Sequence, residues 1–244
     1  MAQNRSSAIM AQRHRAPNAL DHFPTPPWAT RALCEWLRRG ESVPLADQMC
    51  WEPACAEGHM ARTLGEYFGD VRASDVHDHG WSGMEGLHDF LMPGPPVSSP
   101  DWIITNPPFL LAGQFIAHAR ALALRGVAML VRTSFLEGAR RWREVFDPYP
   151  PRAALQFSER VIMARGVLRD PAVAYWDADA EKLRKPSTAT AYCWLVWSGW
   201  DHEPAAPVLG WIPPGTRARL ECPGDYPAPA APEPGAHPAM MEYK

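Results

Sequence analysis

The stretch MCWEPACAEGHMARTLGEYFG, residues 49–69, decides the fold class. Its apolar start predicts a short strand that ends near Glu52, and apolar positions recur at helical spacing after a tight loop with Gly58. A strand that leads through a short loop into a helix is typical of a parallel sheet with crossover helices.

Further units of the same kind follow along the chain. The segment VRASDV predicts a second strand that ends on Asp75, DWIIT a later strand, QFIAHARALAL a helix and GVAMLVRTSFL the most apolar strand. This order predicts an α/β fold with a mostly parallel, twisted sheet and helices on both faces. Two later apolar segments, RAALQFSERVIM and TAYCWLVWSG, predict paired strands that form an antiparallel edge on that sheet.

Length and composition favour one folded domain with tails. The chain has 244 residues, of which 46% are hydrophobic, enough for one full-sized core. We predict a disordered basic arm over residues 1–18, a catalytic domain over 19–202, and a Pro/Ala-rich, largely extended or disordered tail over 203–244.

The cysteines and histidines predict no metal site and a reducing compartment. Five cysteines without a CxxC pair favour reduced thiols, and the N-terminus lacks the apolar core of a signal peptide, so we expect a cytoplasmic protein of a prokaryote or of a phage-infected cell. Cys50 and Cys55 are expected to be buried thiols. His77 and His79 are expected to be solvated, because no third ligand stands at a familiar spacing.

Polar residues at the predicted strand ends indicate the chemical class of the ligand. Parallel sheets bind ligands beyond the carboxyl ends of their strands, where Glu52, Asp75, Asp89 and Asn106 fall. The glycine-rich phosphate motifs are absent, and an acidic strand end suits an ammonium or sulfonium group or ribose hydroxyls. The pattern predicts a nucleoside cofactor with a positive rather than a phosphorylated end.

These segments resemble the motifs of a known family. WEPACAEGHMARTL resembles the first cofactor motif of class I S-adenosylmethionine-dependent methyltransferases, ASD the second and HDFL the third. TNPPF resembles the fourth motif of DNA methyltransferases that modify amino groups, and FPTPP the N-terminal motif of the γ-class order. The resemblance covers residues 23–135 and is to compact, phage-type adenine-N6 enzymes with a Rossmann-like fold. One departure is the cofactor loop, which keeps only Gly58 of the usual glycines.

The resemblance implies S-adenosylmethionine as cofactor and a set of residues that bind it. Asp89 and Phe90 would contact its adenine, Asp75 its ribose, and residues of the N-terminal motif and the first loop its methionine end. The full predicted cofactor set is Thr25, Glu52, Pro53, Ala54, Gly58, Asp75, Asp89, Phe90 and Asn106.

The resemblance implies that an exocyclic amine of a base accepts the methyl group. Such an amine is a weak nucleophile, and the predicted catalytic residues suit its activation. The Asn106 side-chain oxygen and the Pro107 carbonyl can accept its two N–H groups, Pro108 stiffens the backbone, and Phe109 offers a face for a flipped base. Cytosine-C5 chemistry is unsupported, because no Pro-Cys lies at the fourth motif.

Double-stranded DNA is the expected partner. The net charge of −3 gives no global argument for nucleic acid, but basic residues cluster in short insertions over about residues 138–187. The predicted contacts are Arg140, Arg141, Arg143, Arg160, Arg165, Lys182, Arg184 and Lys185. Three alternatives stay open: an RNA substrate, a protein glutamine amide, or a non-catalytic nucleic-acid-binding protein on a degenerate fold. The sequence leaves monomer and homodimer undecided.

Overall fold

A computed structural model describes residues 21–94, 99–177, 181–199 and 206–228. The predicted basic arm lies outside these ranges. The strands are β1 (Met49–Glu52), β2 (Asp70–Asp75), β3 (Gly86–Leu87), β4 (Trp102–Thr105), β5 (Gly126–Arg132), β6 (Ala153–Phe157), β7 (Tyr175–Asp177), β8 (Lys182–Arg184), β9 (Tyr192–Ser198) and β10 (Val208–Ile212). The helices are α1 (Pro27–Gly40), α2 (His59–Leu64), α3 (Ala112–Leu122), α4 (Ala139–Arg141) and α5 (Thr216–Leu220). Within the described ranges no helix has the length and apolar character needed to cross a membrane.

Eight strands form one sheet in the order β10-β6-β9-β5-β4-β1-β2-β3. Neighbours pair in parallel except β9, which runs antiparallel to both β5 and β6. The predicted α/β fold, with a mostly parallel sheet and helices on both faces, is confirmed. The antiparallel strand, however, lies inside the sheet rather than at its edge. Tyr192 to Trp197 are all buried, so β9 needs a neighbour on each side.

Helices cover both faces of the sheet, and the strand side chains alternate between them. On β4, Trp102 and Ile104 pack in the same cluster as α1 and α2, whereas Ile103 packs in the cluster that includes α3. All three side chains are fully buried. Because both faces are covered, the central strands β4, β5 and β9 are almost entirely apolar, and polar side chains appear where these strands end.

The prediction of a largely extended tail from residue 203 is wrong for residues 206–228. Strand β10 adds to the sheet beside β6, and α5 follows it. Arg31 of α1, 6% exposed, donates to the Leu220 carbonyl and to the carboxylates of Glu66 and Asp225. These two carboxylates raise the pKa of the Arg31 guanidinium further above its usual value. The composition misled because a short edge strand tolerates flanking prolines and glycine. The other predicted tail residues lie outside the described ranges.

Candidate functional site

A cavity of about 290 Å³ lies at the carboxyl ends of β1, β2 and β4. Eight of the nine predicted cofactor residues line it: Thr25, Glu52, Pro53, Ala54, Asp75, Asp89, Phe90 and Asn106. They come from five separated segments, which the strand order brings together at one edge of the sheet. The cavity therefore stands where an open α/β sheet binds its ligands.

Gly58 is the predicted cofactor residue that does not line the cavity. It precedes the first residue of α2 with φ of 74°, in the left-handed region. A Cβ there would collide with the Trp81 ring. Gly58 thus allows the turn from the cofactor loop into α2 and the close packing of Trp81.

Glu52 places a buried carboxylate at the cavity. The residue is 2% exposed, and its Oε2 atom has no hydrogen-bond partner among the described residues. Burial, followed by the nearby Asp75 carboxylate, raises the pKa of Glu52 well above its usual range. A buried acid with one unpartnered oxygen at a cavity suits a ligand that brings a positive charge or hydrogen-bond donors.

Asp75 organises the loops around the cavity. Its Oδ2 accepts the backbone N–H of Ala56 at 2.9 Å and its Oδ1 that of His77 at 3.0 Å. An ionised carboxylate has about four acceptor sites, so these bonds leave capacity for ribose hydroxyls. Asp75 can therefore shape the cofactor loop and also contact a ligand.

The third predicted motif follows β3 and supplies one exposed and one buried residue. Asp89 is exposed, and its Oδ1 accepts the Leu91 N–H at 3.0 Å. Phe90 is 2% exposed, with its ring 5.2 Å from Trp51 and 4.8 Å from Phe115 between centroids. Phe90 forms an apolar wall of the cavity that the core holds in place.

Asn106 follows β4 directly. The nitrogen and the oxygen of its side-chain amide lie in different environments. Its Nδ2 donates to the Phe23 carbonyl at 2.9 Å and to Thr25 Oγ1 at 3.1 Å. Its Oδ1 is buried and accepts no hydrogen bond from the described residues. The donors thus fix the amide against the N-terminal motif, and the acceptor stays available to a ligand.

The rest of the fourth motif surrounds this amide. Pro107 is buried, Pro108 lines the cavity, and Phe109 is half-buried. The Phe109 N–H donates to Asp21 Oδ2 at 2.7 Å, and its ring lies 5.4 Å from the Phe23 ring. The backbone that carries the aromatic ring is thus tied to the N-terminal segment.

Two residues beside Phe109 were not predicted from the sequence. The Cζ atom of Arg132, the last residue of β5, lies 4.0 Å from the Phe109 ring centroid. The Tyr192 ring, at the start of β9, lies 6.2 Å from it. Both stand at strand ends that face the cavity side of the sheet, a position that could have singled out Arg132.

Other unpredicted neighbours come from distant segments. Met163 contacts Asn106 Nδ2 through its sulfur at 3.7 Å, and Asp21, His22, His59 and His79 line the cavity. His59 lies inside the first motif, and Asp21 and His22 directly precede the N-terminal motif, whereas Met163 has no local sequence link to any motif. Only the folded chain brings Met163 to the site.

The predicted nucleic-acid contacts lie on exposed elements. Arg140, Arg141 and Arg143 belong to α4 and the π-helical turn after it, and all three are exposed. Lys182 and Arg184 lie on β8, which pairs only with β7 in a separate two-stranded sheet. Arg160, Arg165 and Lys185 are exposed residues of the connecting loops.

Several of these arginines already have intramolecular partners. Arg141 donates to the Ser134 and Glu137 carbonyls, and Arg160 to the Ala189 carbonyl. Arg140 pairs with Glu144 at 3.2 Å, and Arg184 with Asp177 at 3.1 Å. Exposed pairs of this kind contribute little to stability, so they can exchange partners.

No protein-family model and no curated protein matches the chain. Among solved structures, a proposed RNA methyltransferase from Pyrococcus horikoshii is 13% identical with a TM-score of 0.49, covering 78% of this chain and 96% of its own. A modification subunit of a proposed type I restriction enzyme from Vibrio vulnificus YJ016 is 13% identical with a TM-score of 0.49, covering 85% of this chain and 51% of its own. TrmN from Thermus thermophilus is 18% identical with a TM-score of 0.41, covering 71% of this chain and 52% of its own.

These likenesses are distant. The chain spans about half the length of two of the three proteins, and all three identities are below 20%. Function therefore has to be argued from the cavity and its side chains.

Proposed function

We propose that the protein transfers a methyl group from S-adenosylmethionine to the exocyclic N6 amine of adenine in DNA. The observation that carries the proposal is the Asn106 amide, whose Oδ1 is a buried acceptor without a partner among the described residues at the edge of the cavity. A buried acceptor of this kind calls for a donor from outside the chain. The N–H of a planar amine is such a donor.

The cavity residues fit the cofactor. Glu52 offers a buried acidic oxygen to a positively charged group, Asp75 offers acceptor capacity to ribose hydroxyls, and Phe90 offers an apolar wall. S-adenosylmethionine would supply an electrophilic methyl group. The chain's own task is to bind this molecule, exclude water and present the acceptor amine in line.

Asn106 and Pro107 would orient the amine. The Asn106 Oδ1 accepts one N–H, which draws electron density toward the nitrogen as the new bond forms. The Pro107 carbonyl is the proposed acceptor for the second N–H. The bonds from Asn106 Nδ2 to Phe23 and Thr25 keep the side-chain oxygen aimed before the substrate arrives.

Phe109 would receive the flipped base. An exocyclic amine inside a duplex cannot reach a cavity at a sheet edge, so the base has to leave the stack at a cost of a few kcal/mol. Stacking on an aromatic ring contributes about 1–3 kcal/mol per base and so offsets part of this cost. The exposed arginines of α4 and the β7–β8 region are the proposed phosphate contacts.

The test is transfer of labelled methyl from S-adenosylmethionine to unmethylated duplex DNA, with the product nucleosides separated by mass. We expect N6-methyladenine from the wild type, and formation of this product at least about 100-fold more slowly from the Asn106→Ala variant. Parallel reactions offer RNA and a protein with accessible glutamines. Label in RNA or protein alone would replace the DNA assignment with one of those acceptors. An absence of cofactor binding would favour the non-catalytic alternative.

A further inference from the structure

Three side chains from separate segments meet beside the cavity, and two of them, His22 and His79, line it. His22 precedes α1, Glu57 lies in the loop before α2, and His79 lies in the loop after β2. Each offers one ligand atom, and these atoms all lie within 4.8 Å of one another. His22 Nε2 is 2.7 Å from Glu57 Oε2, and the rings of His22 and His79 are 4.6 Å apart between centroids.

The donor set is of the kind that transition metals bind. Two imidazole nitrogens and one carboxylate oxygen suit Zn²⁺ and related divalent ions, and three protein ligands leave further positions open. With metal–ligand bonds of about 2.0–2.2 Å, the ligand atoms of a tetrahedral site lie about 3.3 Å apart. Side-chain shifts of about 1.5 Å would bring the three residues to that spacing.

The surroundings of the cluster support the same chemistry. Asp75 Oδ1 lies 4.0 Å from His79 Nε2, so a further carboxylate stands close to the cluster and favours a cation there. The side chains of His22 and His79 are 15% and 14% exposed, and that of Glu57 is 33% exposed. The cluster is thus sheltered, yet it has a solvent-facing side through which an ion can enter.

We propose that His22, Glu57 and His79 bind one divalent transition-metal ion of the zinc class. The ion joins the segment before α1 to the cofactor loop and to the loop after β2, three segments that line or border the cavity. Its role is to hold the mouth of the cavity together. The His77-Asp78-His79 run alone lacks a third ligand, and the fold supplies two ligands from positions 22 and 57.

The first experiment titrates tag-free protein, stripped with a chelator, with ZnCl₂ in a calorimeter. We expect one ion per chain and a higher unfolding temperature with the ion bound. Titration with CoCl₂ should give visible absorption bands of a site with nitrogen and oxygen ligands. Neither readout depends on methyl transfer, so the metal site and the enzymatic proposal can fail separately.

Variants then test the ligand set. Loss of an outer partner of a metal ligand lowers affinity by about 10- to 100-fold, so His79→Ala and Glu57→Gln should each lower zinc affinity by at least about 100-fold. The matched controls are His77→Ala and Glu85→Gln, which alter neighbouring residues outside the cluster and should change the affinity by less than about threefold. Circular dichroism of the metal-free variants checks that they fold.

Three results would overturn the proposal. One is wild-type protein that binds less than a stoichiometric amount of zinc and cobalt. Another is zinc affinity that survives both ligand substitutions, and the third is an equal loss in the control variants. A His22–Glu57 ion pair without a metal predicts the first result.

Discussion

The guanidinium of Arg132 covers the ring of Phe109, with its Cζ atom 4.0 Å from the ring centroid. A base that stacks on the same face has to displace it. A cation–π contact is worth about 0.5–1 kcal/mol at an exposed site. We therefore expect Arg132→Ala to raise the equilibrium ratio of flipped to stacked target base by about two- to fivefold.

The measurement uses duplex DNA with 2-aminopurine at the target position, whose fluorescence rises when the base leaves the stack. The variant should show a larger flipped fraction than the wild type at saturating protein. Phe109→Ala is the opposite control, since it removes the stacking surface and should lower that fraction. A lower flipped fraction in Arg132→Ala would instead make Arg132 a contact of the bound base.

Asn106→Ala should lower kcat by about 100- to 1,000-fold, because it removes a hydrogen-bond acceptor aimed at the reacting amine. Cofactor affinity should fall by at most about 30-fold, since the side chain loses bonds to Phe23 and Thr25 worth about 1 kcal/mol each. Single-turnover rates and calorimetry separate the two effects. Thr25→Val is the control: it removes one partner of Asn106, keeps the Asn106 acceptor, and should retain most of kcat.

Asp75→Ala should weaken cofactor binding first. Its carboxylate holds the backbone N–H groups of Ala56 and His77, so the variant loses loop order as well as any ribose contact. We expect the cofactor Kd to rise by at least about tenfold and kcat at saturating cofactor to stay within about threefold of the wild type. Unchanged Kd with reduced kcat would contradict this assignment.

The raised pKa of Glu52 predicts a pH-dependent stability. Burial favours the protonated acid in the folded chain, so this contribution is full below the usual pKa of 4.5 and is lost as pH rises through the raised value. Each pKa unit corresponds to about 1.4 kcal/mol, or about 3–6 °C in Tm for a chain of this size.

The Glu52→Gln variant cannot ionise at this position. Its Tm without cofactor should therefore increasingly exceed that of the wild type as the pH rises above 4.5. Calorimetric scans across that range test this, and a difference independent of pH would count against ionisation. The same variant should bind S-adenosylmethionine more weakly, because the neutral amide attracts a cation less.

Gly58→Ala should destabilise the protein through two separate effects. The left-handed backbone costs an alanine about 1–2 kcal/mol, and the added methyl group collides with the Trp81 ring. Gly80→Ala is the matched control, with φ of 78° and open space around the added atom. Urea denaturation should give a larger loss for Gly58→Ala than for Gly80→Ala, and equal losses would show that Trp81 moves aside at little cost.

The sequence predicted the sheet, the helices on its two faces and nine of the 23 residues that line the cavity, because strand-end residues such as Glu52, Asp75 and Asn106 follow apolar runs directly. It missed Tyr192 and Met163, which reach the site through long-range packing without a local pattern, and it missed Arg132, although its position at the end of β5 was a usable signal. The internal position of β9 also escaped prediction, because pairing order depends on contacts between distant segments. The strand and helix in residues 206–228 were not predicted, because the proline- and glycine-rich composition of this segment is typical of an extended tail.

The hydrogen bonds of Arg31 limit how far the chain can be shortened from its C-terminal side. A chain shortened at Gly199 would lose Asp225 and the Leu220 carbonyl, leaving a buried guanidinium with Glu66 alone, and would uncover the edge of β6. Such an edge invites pairing with other chains. Recombinant versions trimmed at the start of the proline-rich region should therefore aggregate, whereas those ending after Ala228 should stay soluble.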